Sequence, residues 1–586
     1  MYKIINVMKK ENFFKKVLLV AVLTILFSTS AKSYNGPQWI HNAVFYQIYP
    51  CSYMDTDGNG YGDLPGIISK LDYIKSIGVD AIWLNPIFLS GWFDGGYDII
   101  DFYKVDPRFG TNSDVVKLTT EAHKRGLKVC LDLVAGHTSE KSEWFKQSAN
   151  DDVNSHYANY YIWANEISQK EKDAITERYK EPNPKASTKG HFVEANAPRA
   201  KYYLKNYYEC QPALNYGYAN PDPKESWQEP VTAPGPKATR QELRNIMAFW
   251  FGKGVDGFRV DMASSLVKND PDKKETMKLW KDLTNWMHKE YPECVLISEW
   301  SNPRQSLPAG FNVDLLLRSG KQGYPQLFFE QGTPYGSTNK SCYFNKAGKG
   351  SYSDFFKNYN VVYPSTKKIG YIGIPTGNHD MQRVNIGTRN TPDQLKVLMT
   401  FILTMPGTPF IYYGDEIGMK YQMNLPSKEG SRSERAGART PMQWDNSCNA
   451  GFSTAASDKL YYPVDTEKGK LCVANQEKDK KSLLNYVRQL LKLRHSAKAI
   501  GNDGDWEQLS DVNNPYPWVY KRMMDNEVYI ITINPSNTKV SSFIKAQHSG
   551  KNIQKILATG TGSYKSGVSK DEIKMNPVSA IIFKIK

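Results

Sequence analysis

Val255-Asp256-Gly257-Phe258-Arg259-Val260-Asp261 is a short, mostly apolar run closed by an acid. Lys128-Val129-Cys130-Leu131-Asp132-Leu133-Val134 and Val295-Leu296-Ile297-Ser298-Glu299 repeat that reading elsewhere in the chain. Runs this short, rich in β-branched residues and carrying a charged residue near the end, read as buried strands. Working outward, residues 43–49, 79–84, 312–316, 369–374 and 408–413 are five more such runs. Helical patterns lie between them at 66–77, 113–125, 240–252 and 391–404, the last opened by Thr391-Pro392. Eight strands alternating with helices predict an α/β fold, a (β/α)8 barrel whose strand ends all open on one mouth.

The rest of the chain divides around that barrel, which is expected over 34–134 and 240–499. About 100 residues, 135–239, are too many for an ordinary connection and read as a subdomain inserted over the mouth. From 500 to 586 the pattern turns to short alternating runs, predicting a C-terminal antiparallel β-sandwich. Residues 1–33 join a basic cluster, an apolar run over 17–27 and small residues at Ala31 and Ser33. That is the pattern of a secretory signal peptide, so a secreted or periplasmic protein is expected. No later segment is long enough for a membrane helix. The formal charge is +15, but the first 33 residues hold six Lys against one Glu, so a chain without them carries +10. The remaining lysines are interleaved with acids and give no nucleic-acid footprint. Seven scattered Cys form no CxxC pair, and the nine His give no HExxH, so neither a disulfide framework nor a catalytic zinc is encoded.

Three predicted strand ends place Asp132, Asp261 and Glu299 at the mouth, and Gly377-Asn378-His379-Asp380 follows the seventh strand. A pair of carboxyl groups about 5 Å apart is the equipment of retaining glycoside hydrolysis. Arg259, two residues before Asp261, points the same way along the strand and is suited to hold that carboxylate ionised. Glu299, ending an apolar strand and followed by Trp300, is suited to a raised pKa and hence to proton donation.

DLVAGH (132–137), GFRVD (257–261), ISEW (297–300) and NHD (378–380), in this order, resemble the four motifs of the α-amylase family of glycoside hydrolases. QPALN (211–215), PGTPFIYYGDEIGM and ARTPMQWD are similar to its oligo-1,6-glucosidase and α-glucosidase branch. The resemblance implies Asp261 as nucleophile, Glu299 as general acid/base and Asp380 as the third catalytic carboxylate. It further implies Tyr97, Asp98, His137, Arg259, His379 and Arg383 as sugar-binding residues. Two positions depart from the pattern: Gly136 replaces the Asn usual before His137, and Met262, after the nucleophile, matches neither the Val of α-1,6 enzymes nor the Thr, Ala or Gly of α-1,4 enzymes. Trp92 and Phe93 are the best aromatic candidates for lining the site. Of the tyrosines between 202 and 218, most are expected to pack the insert.

Asp55-Thr56-Asp57-Gly58-Asn59-Gly60-Tyr61-Gly62-Asp63 offers oxygen at every second residue: Asp55, Asp57, Asn59, the carbonyl of Tyr61, and Asp63. The resemblance implies a structural Ca²⁺ there, on the loop after the first strand. The expected protein is a retaining α-glycosidase acting on maltooligosaccharides or related α-glucans. Its rivals are an endo-acting α-amylase on starch, an α-1,6-glucosidase, a trehalose synthase-like glucosyl transferring enzyme, and a non-catalytic sugar-binding homologue.

Overall fold

The computed structural model describes residues 34 and 36–586, apart from 151, 153, 318–322, 335–340, 431–432, 466–470 and 548–551; the expected signal segment lies outside them. Eight parallel strands close a barrel: β1 (Phe45–Ile48), β2 (Ala81–Leu84), β3 (Lys128–Leu133), β4 (Gly257–Val260), β5 (Val295–Ser298), β6 (Val313–Leu315), β7 (Tyr371–Pro375) and β8 (Thr408–Tyr412). Each strand pairs with its neighbours in sequence, and β8 returns to β1. Side chains on both faces are buried, because the inward set packs the barrel and the outward set meets the helices.

The helices are positioned by their caps and apolar faces. Thr111 and Asp114 form a capping box on α1 (Asn112–Lys124), as Thr391 and Gln394 do on α5 (Pro392–Thr404). Between these lie α2 (Pro234–Phe251), α3 (Lys274–Glu290) and α4 (Ser353–Thr366), and α6 (Leu483–Ser496) follows β8. One expectation changes: the helix read over 66–77 is two, Leu64–Ser69 and Leu71–Ile77. Asp63 accepts from the Gly66 amide at 2.6 Å and starts the first helix earlier, and the chain breaks at Lys70, whose ψ of 6° is not helical.

The segment between β3 and α2 contains the helix Gln169–Tyr179 and a three-stranded antiparallel sheet, Trp163–Ala164, Tyr202–Leu204 and Phe192–Glu194. Phe145, Trp163 and Tyr203 pack its interior. After α6, a five-stranded and a three-stranded antiparallel sheet enclose Val519, Ile530, Ile573 and Ile581. Trp518 stacks on Tyr352 at 4.1 Å between ring centroids and ties these sheets to the barrel. No helix of the described residues is long and apolar enough to cross a membrane.

Candidate active site

The ends of β3, β4 and β5 are joined by one guanidinium. Arg259 donates through Nη1 to Asp132 Oδ1 at 2.8 Å and to Asp261 Oδ1 at 3.0 Å, and its Nη2 lies 2.7 Å from Glu299 Oε2. The strand registers explain this meeting: Asp132 pairs with Arg259, and Arg259 with Ile297, so the three acids close one corner of the mouth. Asp132 also accepts from the Tyr97 hydroxyl at 2.8 Å, so it is an anchor and does not line the cavity.

Burial pushes the Glu299 carboxyl up to about 7; Asp261 adds to the rise, while Arg259 opposes it. Burial likewise raises Asp261, to about 6, against the pull of Arg259. The two groups share a cation and titrate together, so near neutral pH the pair can hold a proton that Glu299, bonded to the Met262 amide and Arg259, is placed to deliver. Met262 carries a left-handed backbone (φ 44°), rare for a side chain of this size. This turn aims its N–H at Glu299 Oε2, 2.9 Å away.

The cavity beside these acids has a volume of about 160 Å³ and is lined by Asp261, Glu299, Asp380, Tyr97, His137, Met262, Tyr207, Gln211, Asp94 and Arg435. His379 stacks on Tyr97 with centroids 5.2 Å apart. Its Nδ1 accepts from the amides of Gln47 and Asn85, which assigns the proton to Nε2. That Nε2 has no hydrogen-bond partner among the described residues and lies 3.6 Å from Asp380 Oδ1. Burial holds His379 well below the usual histidine range, so it is a neutral donor.

Two expected residues stand differently. Asp98 does not line the cavity: it accepts from Ser90 Oγ at 2.9 Å and the Phe93 amide at 3.1 Å, pinning the loop after β2. Four residues earlier, Asp94 takes the place at the wall, paired with Arg435 at 2.8 Å. Arg383 lies behind the cavity, because a fully buried guanidinium needs an anion and finds Asp415 at 3.1 Å. Arg435 closes the cavity instead, its Nε 3.2 Å from Asp380 Oδ1. Arg439 supports both neighbours, reaching Asp380 at 3.1 Å, Glu429 at 2.6 Å and the His379 carbonyl at 2.9 Å. His137 lines the cavity with both ring nitrogens engaged: Nε2 donates to the Tyr97 carbonyl at 2.8 Å and Nδ1 accepts from Asn206 at 2.9 Å. Burial lowers it to about 4.

Asn206 and Gly136 explain each other. A Cβ on Gly136 would come within 2.9 Å of the Asn206 amide, so an amide from the insert fills the space of the missing Asn side chain. Trp92 and Phe93 also turn away from the cavity. Trp92 donates to Asp106 and stacks under Arg108, and Phe93 packs on Tyr208. Tyr207 is the tyrosine of the 202–218 stretch that reaches the cavity. Asp94, Arg435 and Arg439 escaped the sequence reading, although Asp94 borders GGYD and Arg439 lies inside ARTPMQWD.

In the oxygen-rich loop, carboxylate oxygens of Asp55, Asp57 and Asp63 lie within 4.8 Å of one another. Asn59 is exposed and its side chain bonds within the loop, donating to Asp57 Oδ2 at 2.9 Å and accepting from the Tyr61 amide at 2.8 Å. Gly60, at φ 96°, is packed where a Cβ would strike the Lys459 carbonyl, which fixes the loop against the segment after β8. Three converging carboxylates fit a hard divalent cation.

The pattern of the α-amylase catalytic domain matches residues 47–503. Alpha-amylase 3 of Dictyoglomus thermophilum is 28% identical over 99% of this chain and 100% of its own length. Oligo-1,6-glucosidase of Heyndrickxia coagulans is 30% identical over 86% of this chain and 93% of its own. A trehalulose synthase mutant solved in complex with its substrate sucrose superposes with a TM-score of 0.74 at 26% identity, covering 94% of this chain and 100% of that one.

Proposed function

This chain belongs to the α-amylase family of glycoside hydrolases, and from that premise we propose that it is an exo-acting, retaining α-glucosidase that removes single glucose units from maltooligosaccharides. The observation that supports the exo reading is the Asp94–Arg435–Asp380 arrangement, a run of paired, mostly buried charges in the cavity wall that an extended chain would have to displace to pass. Glu299, protonated, donates to the glycosidic oxygen as Asp261 attacks the anomeric carbon, breaking the C1–O bond and forming a β-glucosyl ester. Glu299 then takes a proton from water, which attacks the same carbon, expels Asp261 and releases glucose with its configuration retained. Asp380 and the Nε2–H of His379 hold sugar hydroxyls, and Arg259 keeps Asp261 aimed. Digestion of maltoheptaose tests this reading: glucose and maltohexaose are expected first, and early release of maltose or maltotriose would assign an endo-acting amylase. Conversion of maltose into an isomeric disaccharide without accumulation of free glucose, or into maltotriose with one glucose released per transfer, would assign the transferase rival.

Two further parts belong to the proposal. The protein is exported, on the strength of the signal-like pattern in residues 1–33. The loop 55–63 holds a structural Ca²⁺ through Asp55, Asp57 and Asp63, which when bound ties this loop to the segment after β8. Chelation is then expected to lower Tm by several degrees, restored by Ca²⁺; an unchanged Tm would remove the metal.

A further inference from the structure

Met262 lines two cavities, the one beside Asp261 and a larger one of about 530 Å³ between the insert and the segment after β4. The wall between them is Met262 and Asn206, whose amide nitrogen lies 3.7 Å from Met262 Sδ. Behind that wall stands Lys268. Its ammonium donates to two neutral oxygens, Asn206 Oδ1 at 3.3 Å and the Ser265 carbonyl at 3.1 Å. Among the described residues it makes no ion pair with a carboxylate. Burial, with Lys273 adding to it, lowers its pKa to about 8, so it still carries its proton at neutral pH. A half-buried cation without an anion is a costly arrangement that a ligand can relieve.

The acids lining the same cavity do not relieve it, since each has its own donor. Glu171 takes His191 at 2.7 Å, Asp222 the Lys224 amide at 3.0 Å, Glu225 the Trp227 indole at 2.6 Å, and Asp270 the Thr276 amide and hydroxyl. On the glucosidase reading the cavity beside Asp261 holds the glucosyl unit that Asp261 attacks, so the leaving group extends past Met262, which both cavities share, toward Lys268.

We infer that the larger cavity is the leaving-group site and that it accepts α-glucosides whose leaving group carries a negative charge, a sugar acid or a sugar phosphate, with Lys268 as the anion's partner. This rests on the glucosidase reading above. The bond cleaved and the mechanism are unchanged: maltobionate and water give glucose and gluconate.

The test compares matched substrates, with maltobionate against its neutral counterpart maltitol for the carboxylate, and maltose 6-phosphate, esterified on the reducing glucose, against maltose for the phosphate. In the wild-type protein, kcat/KM is expected to be higher for the charged member of at least one pair, and the responding pair identifies the anion. The charged-to-neutral ratio should fall in Lys268→Met by roughly ten- to a hundredfold, the worth of a hydrogen bond to a charged group, and be largely kept in Lys268→Arg. A wild-type ratio at or below one in both pairs, or a ratio unchanged in Lys268→Met, overturns the inference while glucose release from maltitol leaves the glucosidase standing. Should Lys268→Met not fold, the wild-type ratios and their decline with added salt decide. Failure on every substrate, p-nitrophenyl α-glucoside included, would overturn the glucosidase reading and this inference together.

Discussion

On one side of Asp261 and Glu299 the wall is made of paired charges: Asp94 with Arg435, Asp380 with Arg435 and Arg439, and Arg439 with Glu429. On the other side stand a thioether, an amide and a lysine bonded only to neutral oxygens. The first side comes from strand ends, the loop after β2 and the long segment after β8. The second comes from the insert and the turn after β4. Ion pairs fixed by several elements make a rigid, fully specified pocket, as recognition of one invariant sugar requires. A wall of Met262 and Asn206 is softer and leaves the choice of leaving group to few side chains.

The line between the two sides breaks first at the catalytic acids. Asp261→Asn is expected to lower kcat about a thousandfold or more on every substrate, because no bond to the anomeric carbon forms without the carboxylate. Glu299→Gln should match that loss on maltose. On p-nitrophenyl α-glucoside it should lose less in the first step, since p-nitrophenolate leaves without a proton. Burst kinetics on the two substrates check this, and equal losses from both substitutions on both substrates would undo the assignment of roles.

A smaller break is Arg435→Ala. It strands Asp94, whose pKa burial already raises to about 7, and opens the wall beyond the first sugar. Loss of one partner of a buried pair destabilises the fold by about 3 kcal/mol, and because Asp380 loses one of the cations that hold it, kcat/KM on maltose should also fall, by roughly ten- to a hundredfold. If the wall enforces exo action, maltoheptaose should now yield some maltose directly, and a product pattern still confined to glucose would place the stop elsewhere.

The same division explains what the amino-acid sequence disclosed. All eight barrel strands were legible, because runs such as β4 and β5 are short and mostly apolar, with an acid placed just past the last ladder pair. Asp261, Glu299 and Arg259 were singled out by their places on strand ends, and His379 by the family resemblance of NHD. Asp94 and Arg435 did not: they are 341 residues apart in sequence and meet only because the loop after β2 and the segment after β8 come together at the mouth. Asp98 and Arg383 were misplaced for a related reason. A charged residue next to a motif shows that a charge is needed nearby, and not which neighbour of a tight turn faces inward; Ser90 and Asp415 decide that. The Gly136–Asn206 exchange was visible only as a missing Asn, since its replacement reaches His137 from 69 residues downstream in a separate sheet region.

A several-fold effect is expected at the softer wall. Met262→Val shortens the side chain shared by the two cavities and leaves Arg435 and Asp94 untouched. The ratio of kcat/KM for isomaltose over maltose should shift by about three- to tenfold, the worth of one or two methylenes in a pocket. Inhibition by free glucose should hardly move, because the glycone side is unchanged. A shift in glucose inhibition as large as that in the linkage ratio would show that the two sides are not separable.

The smallest effect separates charges that hold the structure together from charges the structure merely tolerates. Glu299 titrates near 7 when folded and near 4.5 as a free side chain, so folding favours its protonated form. Its contribution is therefore unimpaired below pH 4.5, and stability is lost as pH rises from there through 7. Gln in its place cannot ionise and can still accept the Met262 amide. The gain is limited, since the side chain is 22% exposed and Arg259 forfeits one of its three carboxylates. A Tm rise on the order of 1–2 °C at pH 8 is expected for Glu299→Gln, shrinking to nothing near pH 4.5. Measured the same way, Asp380→Asn, which strips the shared anion from Arg435 and Arg439, should lower Tm at pH 8. If Glu299→Gln is also destabilising there, the acid/base residue belongs with the paired wall, and no stability is being sacrificed for its raised pKa.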